Sequence, residues 1–283
     1  MKDYKKLFTA EKKVFWKENP IHGDIDISIE GIAPFKMHCK NDDTVVKELY
    51  WTAFKGWEFT SLTLWNNLLD TIEKGIALDV GTYSGIYSLI AAQKSPVEHV
   101  YAFDIQDKCI DRTEANFTLN NIPNASVIKA ACSNENGEAV FHYYEEEGII
   151  SSVAGIVSKE MNNLSTTVKS IRLDDWYQDL DSKTPISLLK MDVEGAEQLT
   201  LKGMTSILKE SSPNVLIEIN DHTDLKAVKK LFPKGYHVFD INEEELVIKK
   251  LNFFNKPTKF RNYLFTKLNT DSLSKIFSGT IVK

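Results

Sequence analysis

Hydrophobic residues between positions 75 and 265 form short apolar runs that alternate with longer stretches of helical spacing. Runs of this length are typical of strands that are buried on both faces of a parallel sheet. Their alternation with helices predicts an α/β fold with a doubly wound, mostly parallel sheet. The predicted strands cover residues 76–80, 99–103, 127–131, 186–191 and 215–219, with 236–239 and 262–265 closing the sheet at its edge. The predicted helices cover residues 84–93, 107–121, 195–209 and 225–231.

Residues 1–72 have a mixed pattern, which predicts an N-terminal α+β extension. Alternation with period two at 25–29 and 35–39 indicates two strands that could pair as a hairpin. Helical spacing predicts helices around them, over residues 2–18, 45–54 and 58–73. The chain is therefore predicted to have an extension (1–72) that forms a lid or a substrate wall, a main domain (73–267) with a β insertion (137–144 and 167–172), and a C-terminal tail (268–283) that is a short helix or loose.

A glycine turn follows the first strand of the main domain. Asp79 and Gly81 lie at the end of that strand, and Gly85 precedes the next helix. A dinucleotide fingerprint counted from Gly81 requires glycine where this chain has Tyr83 and Ile86. The observed spacing suits S-adenosylmethionine, which has no pyrophosphate. We expect Asp79 near its sulfonium and amino group, and Gly81, Tyr83 and Gly85 around its methionine end and ribose.

The second strand ends in Asp104, which is followed by Ile105. Ligands of such sheets lie outside the carboxyl ends of the strands, and a carboxylate there can accept both ribose hydroxyl protons. Capping of the next helix is the alternative role, but Asp107 can serve as that cap itself. We therefore predict that Asp104 and Ile105 bind the cofactor, whereas Asn116 and Asn120 on the helix are structural.

A second acidic cluster follows the fourth strand. Asp192, Glu194 and Glu197 lie close to the start of a predicted helix, whose dipole alone could explain them. Asp192 should also lie at the strand tip beside the glycine turn, so we predict that it belongs to the active site. Glu197 is expected to be structural, and the role of Glu194 stays open.

The fifth strand is followed by another acid and a histidine. Glu218 ends the strand and His222 comes four residues later, with an imidazole whose ordinary pKa suits a general base. A lone histidine is more often a surface or capping group. Asp192, Glu218 and His222 could alternatively collect a divalent cation. Because these ligands come from separate strands without paired spacing, we predict no metal site. We predict Asp192, Glu218 and His222 as catalytic candidates, and leave open which of them is the base.

Composition narrows the class of protein. The chain has 283 residues, 42% hydrophobic and 26% charged, as in an ordinary soluble globular protein. Its formal charge of −6 and the absence of a basic tract with aromatics make nucleic acid an unexpected partner. Three cysteines without paired spacing predict reduced thiols in a cytoplasmic protein. No apolar run is long enough for a membrane span, and the charged start predicts no signal peptide.

Two motifs resemble the FkbM family of S-adenosylmethionine-dependent methyltransferases. The first is Asp-Val-Gly-Thr-Tyr-Ser-Gly at 79–85, and the more specific second is Lys-Met-Asp-Val-Glu-Gly-Ala-Glu at 190–197. The resemblance covers about residues 75–265 and implies a class I methyltransferase fold, which is Rossmann-like. It implies, most often, O-methylation of a hydroxyl on a sugar or other secondary metabolite. The chain departs from the family pattern at Tyr83, where a small or amide residue is usual, and at Asp104, where glutamate is frequent.

The resulting hypothesis is an O-methyltransferase that acts on a small molecule or a saccharide. Trp51, Phe54, Trp57 and Phe59 either shape the acceptor pocket or, as is commoner, pack in the core. One alternative is a nicotinamide-dependent oxidoreductase, which the glycine spacing disfavours. Another is a cofactor-binding protein that has lost its activity and serves as a partner. The acceptor, the oligomeric state and any metal dependence stay open.

Overall fold

A computed structural model describes residues 4, 7–143, 154–155, 164–220, 223–252 and 258–282. The strands are β1 (His22–Ile27), β2 (Phe35–Lys40), β3 (Gly75–Val80), β4 (Val97–Asp104), β5 (Ala125–Lys129), β6 (Ala131–Cys132), β7 (Gly137–Tyr143), β8 (Ala154–Gly155), β9 (Leu164–Ile171), β10 (Ile186–Met191), β11 (Asn214–Glu218), β12 (His237–Asn242), β13 (Val247–Lys250), β14 (Asn262–Thr266) and β15 (Thr280–Val282). The helices are α1 (Thr9–Glu18), α2 (Thr44–Trp51), α3 (Phe59–Leu69), α4 (Ile86–Ala92), α5 (Asp107–Leu119), α6 (Leu173–Gln178), α7 (Glu197–Lys202), α8 (Thr205–Glu210), α9 (Leu225–Leu231) and α10 (Thr270–Leu273).

The main sheet confirms the predicted α/β class. Within the described residues its strand order is β15-β13-β12-β14-β11-β10-β3-β4-β5. The pairs from β11 to β5 are all parallel, and β14 runs antiparallel to both β11 and β12. From β3 the chain proceeds outward through β4 and β5, and then returns to β10 on the other side. The strand order therefore reverses between β3 and β10, which is where open α/β sheets bind their ligands.

The N-terminal extension packs directly on this sheet. The two predicted strands form the antiparallel hairpin β1–β2, in which Ile27 pairs with Phe35. Side chains of the extension, among them Leu49 and Trp65, share one buried hydrophobic cluster with Ala77 and Leu216 of the sheet. The extension therefore covers one face of the sheet through a common core, and the division of the chain near residue 72 stays a prediction.

The predicted helix over 195–209 is wrong in one respect, because it is interrupted between α7 and α8. Gly203 lies at the break, and a Cβ atom on it would lie 1.9 Å from the carbonyl oxygen of Ser133. The carbonyl of Gly203 also accepts a hydrogen bond from the backbone N–H of Asp174. These contacts come from the loop after β6 and the start of α6, so helical periodicity alone could not indicate them.

The chain after residue 267 is more ordered than a loose tail. It contains the short helix α10, as one of the two predicted alternatives, and then β15, which pairs in parallel with β13 at the edge of the sheet. The sheet edge is therefore β15, and the segments predicted to close the sheet, β12 and β14, lie inside it. Leu273 and Phe277 of this segment are buried in the core.

Candidate active site

A cavity of about 300 Å³ opens at the carboxyl ends of β3, β4 and β10. Its walls include the glycine turn after β3, the ends of β4 and β11, and residues between α2 and α3 of the extension. The predicted cofactor residues Asp79, Gly81, Tyr83, Asp104 and Ile105 all line it. The cavity therefore lies where the strand order reverses, and it brings together side chains that the sequence placed in separate motifs.

Gly81 lets the ends of β3 and β10 approach each other. Its φ is +83°, and a Cβ atom on it would lie 1.8 Å from the carbonyl oxygen of Asp192. The backbone N–H of Asp192 donates to the carbonyl of Val80 (2.8 Å), so two neighbouring strand tips are joined at this point. Only glycine fits here, because both the left-handed backbone and the close approach exclude a side chain.

Gly85 lies at the other end of the turn and precedes α4. Its φ is +84°, and an added Cβ would lie 2.8 Å from the methyl group of Thr113 on α5. Gly85 is not among the residues that line the cavity. Its role in binding the cofactor therefore stays a prediction, and in this structure it shapes the turn against α5.

Asp79 is buried and already hydrogen-bonded. Its Oδ2 accepts from the hydroxyl of Thr82 (2.8 Å) and from the hydroxyl (2.7 Å) and backbone N–H (3.1 Å) of Ser88. Burial raises its pKa, whereas the hydrogen bonds from Ser88 and Thr82 lower it. One carboxylate oxygen thus fixes the turn to α4, while the residue still forms part of the cavity wall.

Asp104 is held by backbone N–H groups on both sides. Its Oδ2 accepts from the N–H of Tyr83 (3.0 Å), and its Oδ1 accepts from the N–H of Ile105 (2.7 Å) and Gln106 (3.1 Å). The expectation that Asp107 caps α5 is wrong. Gln106 is the N-cap residue and Asp107 is the first helical residue, with its carboxylate paired to Lys129. Asp104 therefore organises the turn before the helix and does not cap the helix itself.

Three carboxylates lie close together where the ends of β10 and β11 and the extension line the cavity. One oxygen each from Glu58, Asp192 and Glu218 lies within 4.8 Å of the others. Burial raises the pKa of both Asp192 and Glu218, and the neighbouring carboxylates raise them further. Arg261 contacts Glu218 at 3.2 Å and counteracts part of that effect. This spacing would also suit a divalent cation, with Glu58 in the place that the sequence analysis gave to His222.

Lys190 supplies a positive charge beside these acids. Its side chain is buried, its Nζ donates to Asn262 (3.3 Å) and lies 3.8 Å from Glu58, and it stands over the ring of Tyr87. Burial lowers its pKa, but the carboxylates of Glu58 and its neighbours outweigh this effect and the pKa is raised. Lys190 is therefore protonated, and its charge offsets the repulsion among the carboxylates of Glu58, Asp192 and Glu218.

Glu58, like Lys190 and Arg261, is a residue of this site that the sequence analysis missed. It precedes α3 with a left-handed backbone (φ 42°), and its side chain accepts from the hydroxyl of Tyr87 (2.6 Å) and the amide of Asn262 (3.0 Å). Its sequence neighbourhood indicates only a helix start. The direction of its side chain follows from its positive φ, which only the structure shows, so the sequence contained no signal for Glu58 as a site residue.

The other acidic candidates take different positions. Glu194 lines the cavity and accepts a hydrogen bond from Asn220 (3.3 Å). Glu197 is 1% exposed, and its Oε1 accepts from the N–H of Gly195 (2.8 Å), in the structural role that was expected of it. Burial raises the pKa of Glu197 to about 7. His222 lies outside the described residues, so its part in catalysis stays a prediction.

The aromatic residues of the extension divide between the cavity and the core. Trp57 lines the cavity. Trp51 packs against Phe15 and Tyr50 near the surface of the extension, and Phe54 and Phe59 pack on the hydrophobic cluster. Core packing is therefore the role of most of these residues. The three cysteines, Cys39, Cys109 and Cys132, are buried and form no disulfide.

Residues 79–251 match the model of the methyltransferase FkbM domain. This chain belongs to the FkbM methyltransferase family. The match spans more than half of the chain and contains both motifs on which the resemblance was based, with the carboxyl-end cavity between them. The predicted family and the methyltransferase class are thereby confirmed, and S-adenosylmethionine is the methyl donor of this class. Membership decides against the nicotinamide-dependent alternative.

Two curated relatives are similar over part of their length. Hexuronic acid methyltransferase AglP of Haloferax volcanii is 31% identical over 164 residues, which are 58% of this chain and 63% of that protein. Methyltransferase 1 of Beauveria bassiana is 23% identical over 180 residues, which are 57% of this chain and 72% of that protein. The match to AglP therefore spans less than two thirds of that relative.

A solved methyltransferase of the FkbM family, from Methylobacillus flagellatus KT, is similar to 68% of this chain and 44% of its own. Its sequence identity is 16% and its TM-score is 0.43. The fold class stated above rests on the strand order of the sheet itself. No described helix is long and apolar enough to cross a membrane.

Proposed function

We propose that this chain transfers the methyl group of S-adenosylmethionine to a hydroxyl group of a saccharide. The observation that carries the proposal is the meeting of two groups of acids in one cavity. Asp79 and Asp104 line its cofactor side, while Glu58, Asp192 and Glu218 converge beyond them. The similarity to a hexuronic acid methyltransferase supports a saccharide acceptor.

The described residues fit this cofactor. Gly81 lets the tips of β3 and β10 meet at the cavity wall, and the buried carboxylate of Asp104 lines the same wall. A carboxylate has about four acceptor sites, of which backbone N–H groups use three, and the thiol of Cys109 also hydrogen-bonds to it, so a ribose hydroxyl would take the place of that weak thiol donor. Tyr83 and Ile105 would flank that ribose, and Asp79 would face the positive end of the methionine part. When bound, the cofactor supplies a methyl group that its sulfonium already activates.

Asp192 is the base that the geometry supports best. Burial and the neighbouring Glu218 raise its pKa, and a higher pKa makes a carboxylate a stronger proton acceptor. Glu218 is a weaker choice, because its ion pair with Arg261 opposes the rise in its pKa and makes its carboxylate a weaker proton acceptor. Glu58, held by Tyr87 and Asn262, would accept a hydrogen bond from the acceptor and orient it. With Trp57 on the same wall, the extension would contribute to the acceptor site.

Methyl transfer from labelled S-adenosylmethionine should be measured on a panel of glycosides with and without a uronic acid. We expect transfer to at least one of them, and we expect Asp192→Asn to lower the turnover by about 100-fold or more while S-adenosylhomocysteine still binds. Asp111→Asn, which makes the same change at an exposed carboxylate on α5 outside the cavity lining, is the matched control and should keep most of the activity. A wild-type protein that binds the cofactor product but methylates no glycoside contradicts the acceptor class. Turnover of Asp192→Asn at the wild-type rate contradicts the assignment of the base.

A further inference from the structure

Helix α5 covers the outer edge of β2 with a row of polar side chains. Arg112, Asn116 and Asn120 follow one another at intervals of four residues, so they share one face of the helix. Asn120 donates to the carbonyl of Lys36 (2.7 Å) and accepts from its N–H (2.8 Å). Asn116 accepts from the N–H of His38 (2.8 Å), and Arg112 donates to the carbonyl of His38 (2.9 Å). These side chains therefore take the place of a neighbouring strand along β2.

The same face of α5 also holds the glycine turn. The side-chain amide of Asn116 donates to the carbonyl of Ser84 (2.8 Å), and the hydroxyl of Thr113 donates to the carbonyl of Tyr83 (3.2 Å). Asn116 is fully buried. It uses its oxygen for the hairpin and its N–H₂ group for the turn, so a single side chain connects the two.

A second connection joins the start of α2 to the turn. The backbone N–H of Thr44 donates to the hydroxyl of Tyr83 (3.2 Å). Asp43, which is the N-cap of α2, is fully buried and lies 3.8 Å from Arg112, and Arg112 also pairs with Asp42 at 2.8 Å. The segment between β2 and α2 is therefore anchored to α5 and contacts the turn directly.

The turn depends on such external contacts because its backbone is unusual. Tyr83 has a φ of 55°, which a residue with a side chain adopts only when its surroundings hold it there. Its N–H must nevertheless point at Asp104, which it meets at 3.0 Å. Contacts from α5 thus fix the carbonyl groups of Tyr83 and Ser84, and a contact from the extension fixes the side chain of Tyr83.

We propose that Asn116 is a positioning residue, through which the N-terminal hairpin holds the glycine turn in its cofactor-binding shape. The hairpin is then a fixed part of the cofactor site. This inference rests on the proposed function, because it takes the turn to be the part that binds S-adenosylmethionine. Asn116 would act on the cofactor only through Ser84, since it is not among the residues that line the cavity.

Asn116→Ala and Asn120→Ala form a matched pair for the test. Both remove a side-chain amide that α5 presents to β2, but only Asn116 reaches the turn. The affinity of the full chain for S-adenosylhomocysteine is measured by calorimetry at a temperature where each variant is folded. Amide hydrogen exchange over residues 81–90 of the protein without ligand is measured alongside it.

We expect Asn116→Ala to weaken S-adenosylhomocysteine binding by about tenfold or more, because a buried carbonyl loses its donor and the turn can relax. Exchange over 81–90 should rise in the same variant. Asn120→Ala should bind within about twofold of the wild type, with unchanged exchange in the turn. Equal effects of the two variants, or wild-type affinity and exchange in Asn116→Ala, overturn the inference. If the wild type does not bind S-adenosylhomocysteine, the proposed function fails, and the exchange comparison alone then decides whether Asn116 positions the turn.

Discussion

Replacement of Gly81 by alanine tests the contact that joins the tips of β3 and β10. Gly31 is a suitable control because its φ of +80° is close to the +83° of Gly81, and an added Cβ on it would meet nothing within 4 Å. Alanine in a left-handed conformation costs about 1–2 kcal/mol at either position. The difference between the two variants therefore isolates the close approach to Asp192.

The cost of that approach follows from the distance. A Cβ atom on Gly81 would lie 1.8 Å from the carbonyl oxygen of Asp192, whereas a normal contact is about 3.5 Å. The two strand tips would have to separate by more than about 1 Å, and overpacking of this extent costs about 3 kcal/mol, the upper end of the usual range. Because Asp192 is hydrogen-bonded to Val80, the movement would also disturb the proposed base.

Thermal unfolding and calorimetry with S-adenosylhomocysteine measure both consequences. For a protein of 283 residues 1 kcal/mol lowers the Tm by about 1.7 °C, so we expect the Tm to fall by about 7–9 °C in Gly81→Ala and by about 2–3 °C in Gly31→Ala. Binding of S-adenosylhomocysteine should be lost in Gly81→Ala and kept in Gly31→Ala. Equal losses of Tm in the two variants would refute the argument from the close approach, and so would wild-type binding by Gly81→Ala.

Two further predictions concern buried carboxylates. Asp104→Asn should weaken S-adenosylhomocysteine binding by at least about tenfold, because charge-assisted hydrogen bonds to the ribose and to the N–H of Tyr83 are lost; an unchanged dissociation constant in calorimetry would remove Asp104 from the cofactor site. Glu197 has a pKa raised to about 7 by burial, so the folded protein binds more protons than the unfolded chain between about pH 4.5 and 7, and its stability falls as the pH rises through that window. Glu197→Gln mimics the protonated acid and should lose less stability than the wild type between pH 5 and pH 8, by about 2–3 kcal/mol at most, in urea unfolding; parallel losses in the two proteins would show that Glu197 does not titrate as described.

Local patterns were sufficient for most of the fold. Short apolar runs between polar turns are typical of buried strands in an α/β protein. For this reason the sequence predicted β3, β4, β10 and β11. The glycine turn and the acids at the strand ends, including Asp79 and Asp104, were predicted for the same reason, since parallel strands bring their carboxyl ends to one edge of the sheet. Each of these strands and turns is specified by residues that are neighbours in the chain.

Boundaries and interruptions were less predictable. The break between α7 and α8 depends on the approach of Ser133 to Gly203, and the position of β15 depends on pairing with β13. Asp174 illustrates the same limit, because its carboxylate accepts from the N–H groups of Ser206 and Ile207, which lie in the first turn of α8, 32 and 33 residues later in the chain. Such contacts join segments that are far apart in sequence.

The sequence by itself determined the class of sheet, the place of its glycine turn and the family to which the chain belongs. Only the tertiary structure decided that Glu58 of the extension joins Asp192 and Glu218, and that Asn116 connects the hairpin to the turn. The physical reason is the distance along the chain over which each interaction acts. Periodicity and turn chemistry act over a few neighbouring residues, whereas the direction of a buried polar side chain is set by whichever distant backbone group it meets when the layers pack.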